Sequence, residues 1–377
     1  MVSSFPDEQS GKKLKKECTQ TMKKILALVL ALVMVMSVAS ALAEKVGVSM
    51  PTKDLQRWNQ DGAYLEKLLK ENDFEVELQF ASNDPQQQLA QVETMIDNGC
   101  AVVVIAAIEG KSLGEALAKA AEKGVKVIAY DRLLMDSEAV DYYATFDNYM
   151  VGTIQGTYVK DALKLDEADG PFVIEFTAGD PGDNNAGYFF NGAMDVLKPY
   201  IEAGKLVVTS GQTEFEKVAT PGWKSETAQG RAENILSSYY ADGTKLDAWL
   251  CSNDSTALGV TNALEANYDI ATYGWPIITG QDCDVTNTNN MIDGKQAMSV
   301  FKDTRTLAAQ VVKMVGQIVK GEEVDVNDNE TYNNGKKVVP SFLCEPVIGT
   351  KDNYRELLLD SGYYLEADGG YVKKIDE

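Results

Sequence analysis

Polar and aromatic side chains recur where the strands predicted for this chain come to an end. Arg57 and Trp58 follow the first predicted strand, and Asp131 and Arg132 follow a later one. In open parallel sheets, ligands bind beyond the carboxyl ends of the strands, so these positions are candidates for a binding site. Five further candidates lie after other strands or in a loop before a helix: Asn184, Trp223, Asn253, Asp282 and Lys302.

The residue types at these positions favour a ligand that is dense in hydroxyl groups. Asp accepts hydrogen bonds, Arg and Lys donate them, and Asn does both, which suits hydroxyls that donate and accept at once. The tryptophans would cover the C–H faces of a sugar ring, whereas the carboxylates would repel a phosphate. Taken singly, the residues have plainer interpretations. Asp254 is typical of a helix N-cap, and an Asp–Arg pair is usually a surface ion pair.

Composition limits the classes of function. The 377 residues include 35 Lys and Arg, 57 Asp and Glu and no histidine, for a net charge of −22. Such acidity argues against nucleic acid as a partner, because phosphate binding needs clustered cations. The lack of histidine disfavours a transition-metal site and any triad that depends on imidazole. We therefore expect no catalytic residues, no metal and no cofactor.

The amino terminus predicts export to a periplasmic or other extracytoplasmic location. Residues 22–43 combine two lysines, an apolar run and a small-residue ending, Ala41 and Ala43, as in a cleaved secretory signal peptide. The alternative is an uncleaved anchor, because about 18 apolar residues are borderline for a bilayer span. No cysteine follows the run closely, so a lipoprotein is not expected. Residues 1–21 are interpreted as an upstream extension.

Four cysteines follow this leader: Cys100, Cys251, Cys283 and Cys344. An even number permits disulfides in an exported protein, but this wide spacing is not that of a disulfide scaffold. We expect four unpaired thiols.

Short apolar runs alternate with amphipathic stretches of helix length from Lys45 onward. Runs such as AVVVIAA and KVIAY are continuously apolar, which is typical of parallel strands buried on both faces. The alternation predicts βαβ units, and about ten strands exceed one comfortable sheet. The predicted fold class is α/β, with two doubly wound, Rossmann-like parallel-sheet lobes that divide near Asp147 without a flexible linker.

From Lys45 to its end the chain resembles the periplasmic sugar-binding proteins of ABC transporters, which have the type I periplasmic binding protein fold. It is most similar to the multiple-monosaccharide and D-xylose-binding group. The stretches that carry the resemblance follow the order of the family: RWNQDG, VIAYDRL, YATFDN, GDPGDNNA, VLKPYIEAGKL, SNDSTALG, GQDCD, FKDT, YNNGKKVVPS and SGYY. The cysteine in GQDCD departs from the small residue that is usual in the family.

This resemblance implies which residues touch the ligand. The implied sugar contacts are Arg57, Asp131, Arg132, Asn184, Asn253, Asp282 and Lys302, and the implied stacking residues are Trp58 and Trp223. Asn185 and Asp284 are expected to stand behind these contacts rather than to touch the sugar.

The resemblance also implies a hinge of three crossings, near Asp147, just after Lys302 and near Tyr332. The N-terminal lobe would then comprise residues 44–147 and 303–332. The C-terminal lobe would comprise residues 148–302 and 333–377.

The implied function is capture of a monosaccharide, an aldopentose or aldohexose such as xylose, arabinose, glucose or galactose, by closure of the hinge. The protein would act as a monomer, without enzymatic activity, and deliver the sugar to a membrane ABC permease. One alternative is a receptor that presents the sugar to a sensor kinase or chemoreceptor. A glycosidase is a further alternative, because Asp131 or the pair Asp282 and Asp284 would supply carboxylates for glycoside hydrolysis.

Overall fold

The computed structural model describes residues 43–375 of the chain. The predicted extension at residues 1–21 and, apart from Ala43, the predicted signal peptide at residues 22–43 lie outside this range. Within residues 43–375, no helix has both the length and the apolar character that a membrane crossing requires.

The larger sheet consists of six parallel strands. Their bounds are Lys45–Met50 (β1), Glu75–Phe80 (β2), Val102–Ile105 (β3), Lys126–Tyr130 (β4), Tyr142–Phe146 (β5) and Ser341–Cys344 (β11). In space they follow the order β11-β5-β4-β3-β1-β2. The helices that pack on this sheet are Gln56–Glu71 (α1), Pro85–Asp97 (α2), Gly114–Lys123 (α3) and Thr304–Lys320 (α11). We call this sheet with its helices the first lobe.

The second sheet consists of four parallel strands. Their bounds are Phe172–Thr177 (β6), Leu206–Val207 (β7), Ala248–Cys251 (β8) and Ile277–Ile278 (β9), in the order β7-β6-β8-β9. An antiparallel pair, Met298–Phe301 (β10) with Val347–Thr350 (β12), adjoins this sheet through a bridge between Gln281 and Val300.

The helices that accompany the second sheet are Asn148–Ala162 (α4), Asn184–Glu202 (α5), Phe215–Val218 (α6), Ser225–Tyr239 (α7), Asp254–Asn267 (α8), Ile270–Tyr273 (α9) and Val285–Ile292 (α10). We call this assembly the second lobe. It is completed by a carboxyl-terminal segment, residues 351–375, that contains a π-helix at Arg355–Asp360 and a hairpin of Leu365–Glu366 (β13) and Val372–Lys373 (β14).

Each lobe has its own apolar core because the central strands are apolar along their whole length. All residues of β3 and of β8 are buried, as parallel strands covered by helices on both faces should be. α1 turns Trp58, Leu65 and Leu69 toward the first sheet at helical spacing. The predicted α/β class with parallel sheets is confirmed. The four cysteines of the described residues are buried and unpaired, as expected.

The chain passes between the lobes after β5, after β10 and after β11. The third crossing differs from the one predicted near Tyr332. Ser341–Cys344 pairs in parallel with Tyr143–Phe146, so β11 extends the first sheet before the chain leaves it. The change of lobe therefore comes between Cys344 and Val347. Residues 333–344, which the resemblance places in the C-terminal lobe, precede this crossing and belong to the first lobe.

Candidate functional site

Side chains from both lobes surround a small cavity at the carboxyl ends of the two sheets. The first lobe contributes Leu55, Arg57, Trp58, Asp131 and Arg132 to its wall. The residues that come from or lead into the second lobe are Asp183, Asn185, Phe189, Trp223, Asn253, Ser255, Gln281, Asp282, Asp284 and Lys302. The cavity has a volume of about 40 Å³, so the two lobes lie close together around it.

Arg57 joins three carboxylates at the centre of this site. It lies in the first turn of α1, and its guanidinium contacts Asp61 at 2.9 Å, Asp131 at 2.6 Å and Asp282 at 3.1 Å. Asp282 belongs to the second lobe, so this contact spans the cavity. A planar guanidinium with several donors suits such multiple pairing. The neighbouring carboxylates raise the pKa of Arg57 despite its burial, and the cation is permanent.

The carboxylates around Arg57 differ in their titration. Burial would raise the pKa of Asp131, but Arg57, Lys302 and Arg132 together lower it below the usual value. Asp61 is fully buried, accepts a hydrogen bond from the Tyr130 hydroxyl and has a pKa of about 6, raised by burial against the opposing effect of Arg57. Asp131 is thus held as an anion that can accept hydrogen bonds inside the cavity.

Lys302 and Arg132 supply the other two cations. Lys302 directly follows β10, and its ammonium lies 3.0 Å from the Asp282 carboxylate. Arg132 forms an ion pair with Asp183 at 2.9 Å across the cavity and donates to the Ala107 carbonyl at 3.1 Å. Four carboxylates and three cations line the wall, so the site presents both donors and acceptors and little net charge. That balance suits a neutral ligand better than an anion.

Two asparagines at the start of α5 are placed differently from the prediction. Asn185 is buried and lines the cavity, where its amide donates to the Asp131 carbonyl at 2.5 Å and accepts from the Tyr143 hydroxyl at 3.0 Å. Asn184, predicted as a contact, is not part of the wall. Adjacent residues of a helix differ by about 100° in direction, so only one of the two faces the cavity. The structure thus places Asn185, and not Asn184, on the cavity wall.

Asn253 occupies the position that the sequence interpretation gave to Asp254. Asn253 is the N-cap of α8, with its side-chain oxygen accepting from the Thr256 amide at 3.0 Å. Because that oxygen is engaged, its NH₂ group is the part that can donate to a ligand. Asp254 is instead the first residue of α8 and is fully buried.

Both predicted tryptophans reach the cavity. Trp58 and Trp223 are each only 4% exposed and line its wall. The guanidinium of Arg132 lies 5.0 Å from the Trp58 ring, and Trp223 packs edge-on against Phe189. Gly179 allows Trp223 its position, because a Cβ at residue 179 would lie 1.9 Å from the indole.

Gln281 lines the cavity but was not singled out in the sequence. Gln281 is 1% exposed, and its side-chain oxygen has no hydrogen-bond partner among residues 43–375. The same is true, within this range, of the indole nitrogen of Trp223 and one oxygen of Asp284. Buried polar atoms without partners are costly, and these three belong to residues on the cavity wall. Gln281 could have been suspected only from its place beside Asp282 at a strand end.

Metal binding has no visible site in the part of the chain that the structure describes. Residues 43–375 contain no group of three or more His, Cys, Asp or Glu side chains that could hold an ion. Three of the four cavity carboxylates, Asp131, Asp183 and Asp282, are instead paired with Arg57, Arg132 and Lys302.

The family model described as the periplasmic binding protein domain matches residues 46–323. The chain is 47% identical to a multiple sugar-binding periplasmic protein, SbpA, of Azospirillum brasilense, over 85% of this chain and 90% of that protein. It is 46% identical to a multiple sugar-binding periplasmic receptor, ChvE, of Rhizobium radiobacter, over 91% of this chain and 98% of that protein.

The fold matches that of an ABC transporter solute-binding protein from Clostridium phytofermentans, whose crystal structure contains β-D-glucose. The TM-score is 0.84 with 66% sequence identity, covering 86% of this chain and 99% of that one. The expected type I fold is confirmed by this likeness.

Proposed function

Since the chain belongs to the periplasmic binding protein family, we propose that it captures a monosaccharide between its two lobes and delivers it to a membrane ABC permease. The observation that carries the proposal is the cavity wall. Donors and acceptors from both lobes converge there beside two tryptophans. A pyranose ring presents this combination of hydroxyls and apolar C–H faces.

The proposed contacts follow from the hydrogen bonds that each side chain can still make. Asp131 and Asp282 would accept from sugar hydroxyls, while Arg57, Arg132, Lys302 and the Asn253 amide would donate to them. Asn185 replaces Asn184 in this set, and Gln281 joins it, because its unpartnered oxygen lies on a residue of the wall. Trp58 and Trp223 would cover the ring. None of these groups needs to react with the sugar, which suits a binding protein.

The cavity has no room for an oligosaccharide. Its volume of about 40 Å³ corresponds to roughly three waters at 10–15 Å³ each, which is less than a sugar ring occupies. Entry of a sugar therefore requires the lobes to separate. The ligand then stabilises the closed form because it contacts both lobes at once.

The test is calorimetry of the purified protein with D-glucose, D-galactose, D-xylose, L-arabinose and, as a control, mannitol. We expect one site per chain for at least one aldose and none for the open-chain polyol. Asp131→Asn and Asp282→Asn should each weaken binding by about 2–5 kcal/mol, since each leaves buried cations and sugar hydroxyls without a charged partner.

Asp195→Asn is the matched control, because Asp195 is exposed and bonds Tyr149 away from the cavity. It should bind as the unaltered protein does. Unchanged affinity in both cavity variants would refute the proposed site. Conversion of the sugar, followed by NMR during the incubation, would refute the assignment as a binding protein.

A further inference from the structure

The turn that carries Asp282 has an unusual backbone. Asp282 has a φ of 95° and Cys283 a φ of 52°, in the left-handed region that residues with a side chain rarely adopt. Such positions are strained and persist only where the surroundings hold them. Asp282 contacts both Arg57 and Lys302, so the strain lies directly at the candidate site.

Hydrogen bonds from the second lobe hold the amide groups of this turn. The Asp282 amide donates to the Val300 carbonyl at 2.8 Å, and the Cys283 amide donates to the Ser299 hydroxyl at 3.0 Å. The Asp284 amide donates to the buried carboxylate of Asp254 at 2.8 Å. The Cys283 carbonyl in turn accepts from the Thr288 hydroxyl of the same lobe at 3.2 Å and from one further donor.

Tyr364 is the second donor to that carbonyl and also reaches the first lobe. Its hydroxyl donates to the Cys283 carbonyl at 3.0 Å and accepts from the Gln56 side-chain amide at 2.6 Å. Gln56 begins α1 and directly precedes Arg57, the residue that pairs with Asp282. Tyr364 is 1% exposed, so both bonds are shielded from water. One hydroxyl therefore connects the strained turn to the helix that faces it across the cavity.

The segment that carries Tyr364 is itself anchored. The Asn289 side chain exchanges two hydrogen bonds with the backbone of Val372, at 3.2 and 2.9 Å. The Tyr354 hydroxyl donates to the Gly370 carbonyl at 3.0 Å, and Tyr363 donates to Gln60 of α1 at 3.2 Å. Because these bonds hold the segment in place, Tyr364 can hold the turn in one position.

We propose that Tyr364 is a positioning residue for ligand binding. It holds the Asp282 turn in its strained form and ties that turn to α1 when the lobes are closed. This inference rests on the proposed function, since the affinity that it predicts is for a monosaccharide. Tyr364 does not line the cavity wall, so it acts through Asp282 and not on the sugar.

The experiment compares Tyr364→Phe with the unaltered protein by calorimetry, using the monosaccharide of the panel that binds most tightly. Phe keeps the ring in its apolar cluster and removes only the hydroxyl. We expect affinity to fall about tenfold, as the loss of two modest hydrogen bonds predicts. In an Asp282→Asn background the same substitution should have little further effect, because the group that it positions has lost its charge.

Tyr371→Phe is the control in the same segment, since the Tyr371 hydroxyl bonds Asp293 at the surface. Full affinity in Tyr364→Phe would overturn the inference. Equal losses in Tyr364→Phe and Tyr371→Phe, or fully additive losses with Asp282→Asn, would do so too. If the unaltered protein binds no sugar, the proposed function fails first, and this result is distinct from the others.

Discussion

At the scale of single residues, Arg57 explains how so many charged side chains can line one buried cavity. Its guanidinium pairs with Asp61, Asp131 and Asp282, so no carboxylate in this group is left without a cation. Removing one partner of a buried ion pair costs far more than the pair itself contributes. A neutral sugar can therefore exchange hydrogen bonds with these groups without having to neutralise them.

Gln281 offers a test at the same scale that is separate from the charged residues. Its buried oxygen lacks a partner among the described residues, and we expect a sugar hydroxyl to donate to it. Gln281→Leu should weaken sugar binding about tenfold, the typical value of one buried hydrogen bond, while the midpoint of urea unfolding of the ligand-free protein stays nearly unchanged.

The control is Gln310→Leu. The Gln310 amide nitrogen is also buried without a partner in the described chain, but it lies in α11 and away from the cavity wall. That variant should bind sugar normally. Equal affinities of the two variants would contradict the role proposed for Gln281.

At the scale of elements, two buried acids at the starts of α8 and α10 make the stability of the fold depend on pH. Asp254 opens α8 and Asp284 directly precedes α10. Burial, with the nearby charge of Asp282, raises the pKa of Asp284 to about 7. The pKa of Asp254 is also well above its usual value, because of burial and then Asp284. Both acids hold their protons more tightly in the fold than in the unfolded chain.

Stability should therefore fall as the pH rises, since the unfolded chain loses these protons first. For Asp284 the window runs from about pH 4, its pKa in the unfolded chain, to about pH 7, its pKa in the fold. Asp284→Asn removes the contribution of Asp284 to this dependence and leaves that of Asp254. We expect the melting temperature of the ligand-free variant to drop less than that of the unaltered protein between pH 5 and pH 8. If the melting temperatures of the variant and of the unaltered protein fell by the same amount between pH 5 and pH 8, the assignment to Asp284 would be contradicted.

Elements also show what the sequence could and could not predict. Continuous apolar runs such as β3 and β8 predicted buried parallel strands, because apolar residues on both faces of a strand indicate that both faces are covered. β11 was misassigned because pairing of Ser341–Cys344 with β5 joins residues almost 200 positions apart, which no local pattern records. Asn184 and Asn185 are the same residue type one position apart, so only the rotation of α5 decides between them.

At the scale of the whole molecule, the site exists only when the two lobes meet. Arg57 and Asp282 pair across the cavity, as do Arg132 and Asp183, and Tyr364 joins the carboxyl-terminal segment to α1. These contacts join elements of the two lobes, between which the chain crosses after β5, β10 and β11. A ligand that touches both walls adds to them and shifts the population toward closure.

The central claim is that one monosaccharide binds inside this cavity, and a crystal structure of the protein with its tightest-binding aldose tests it most directly. The account predicts a single sugar enclosed by both lobes, with hydroxyls within hydrogen-bond distance of Arg57, Asp131 and Asp282 and with its ring against Trp58. A sugar bound elsewhere on the surface, with only water in the cavity, would contradict it.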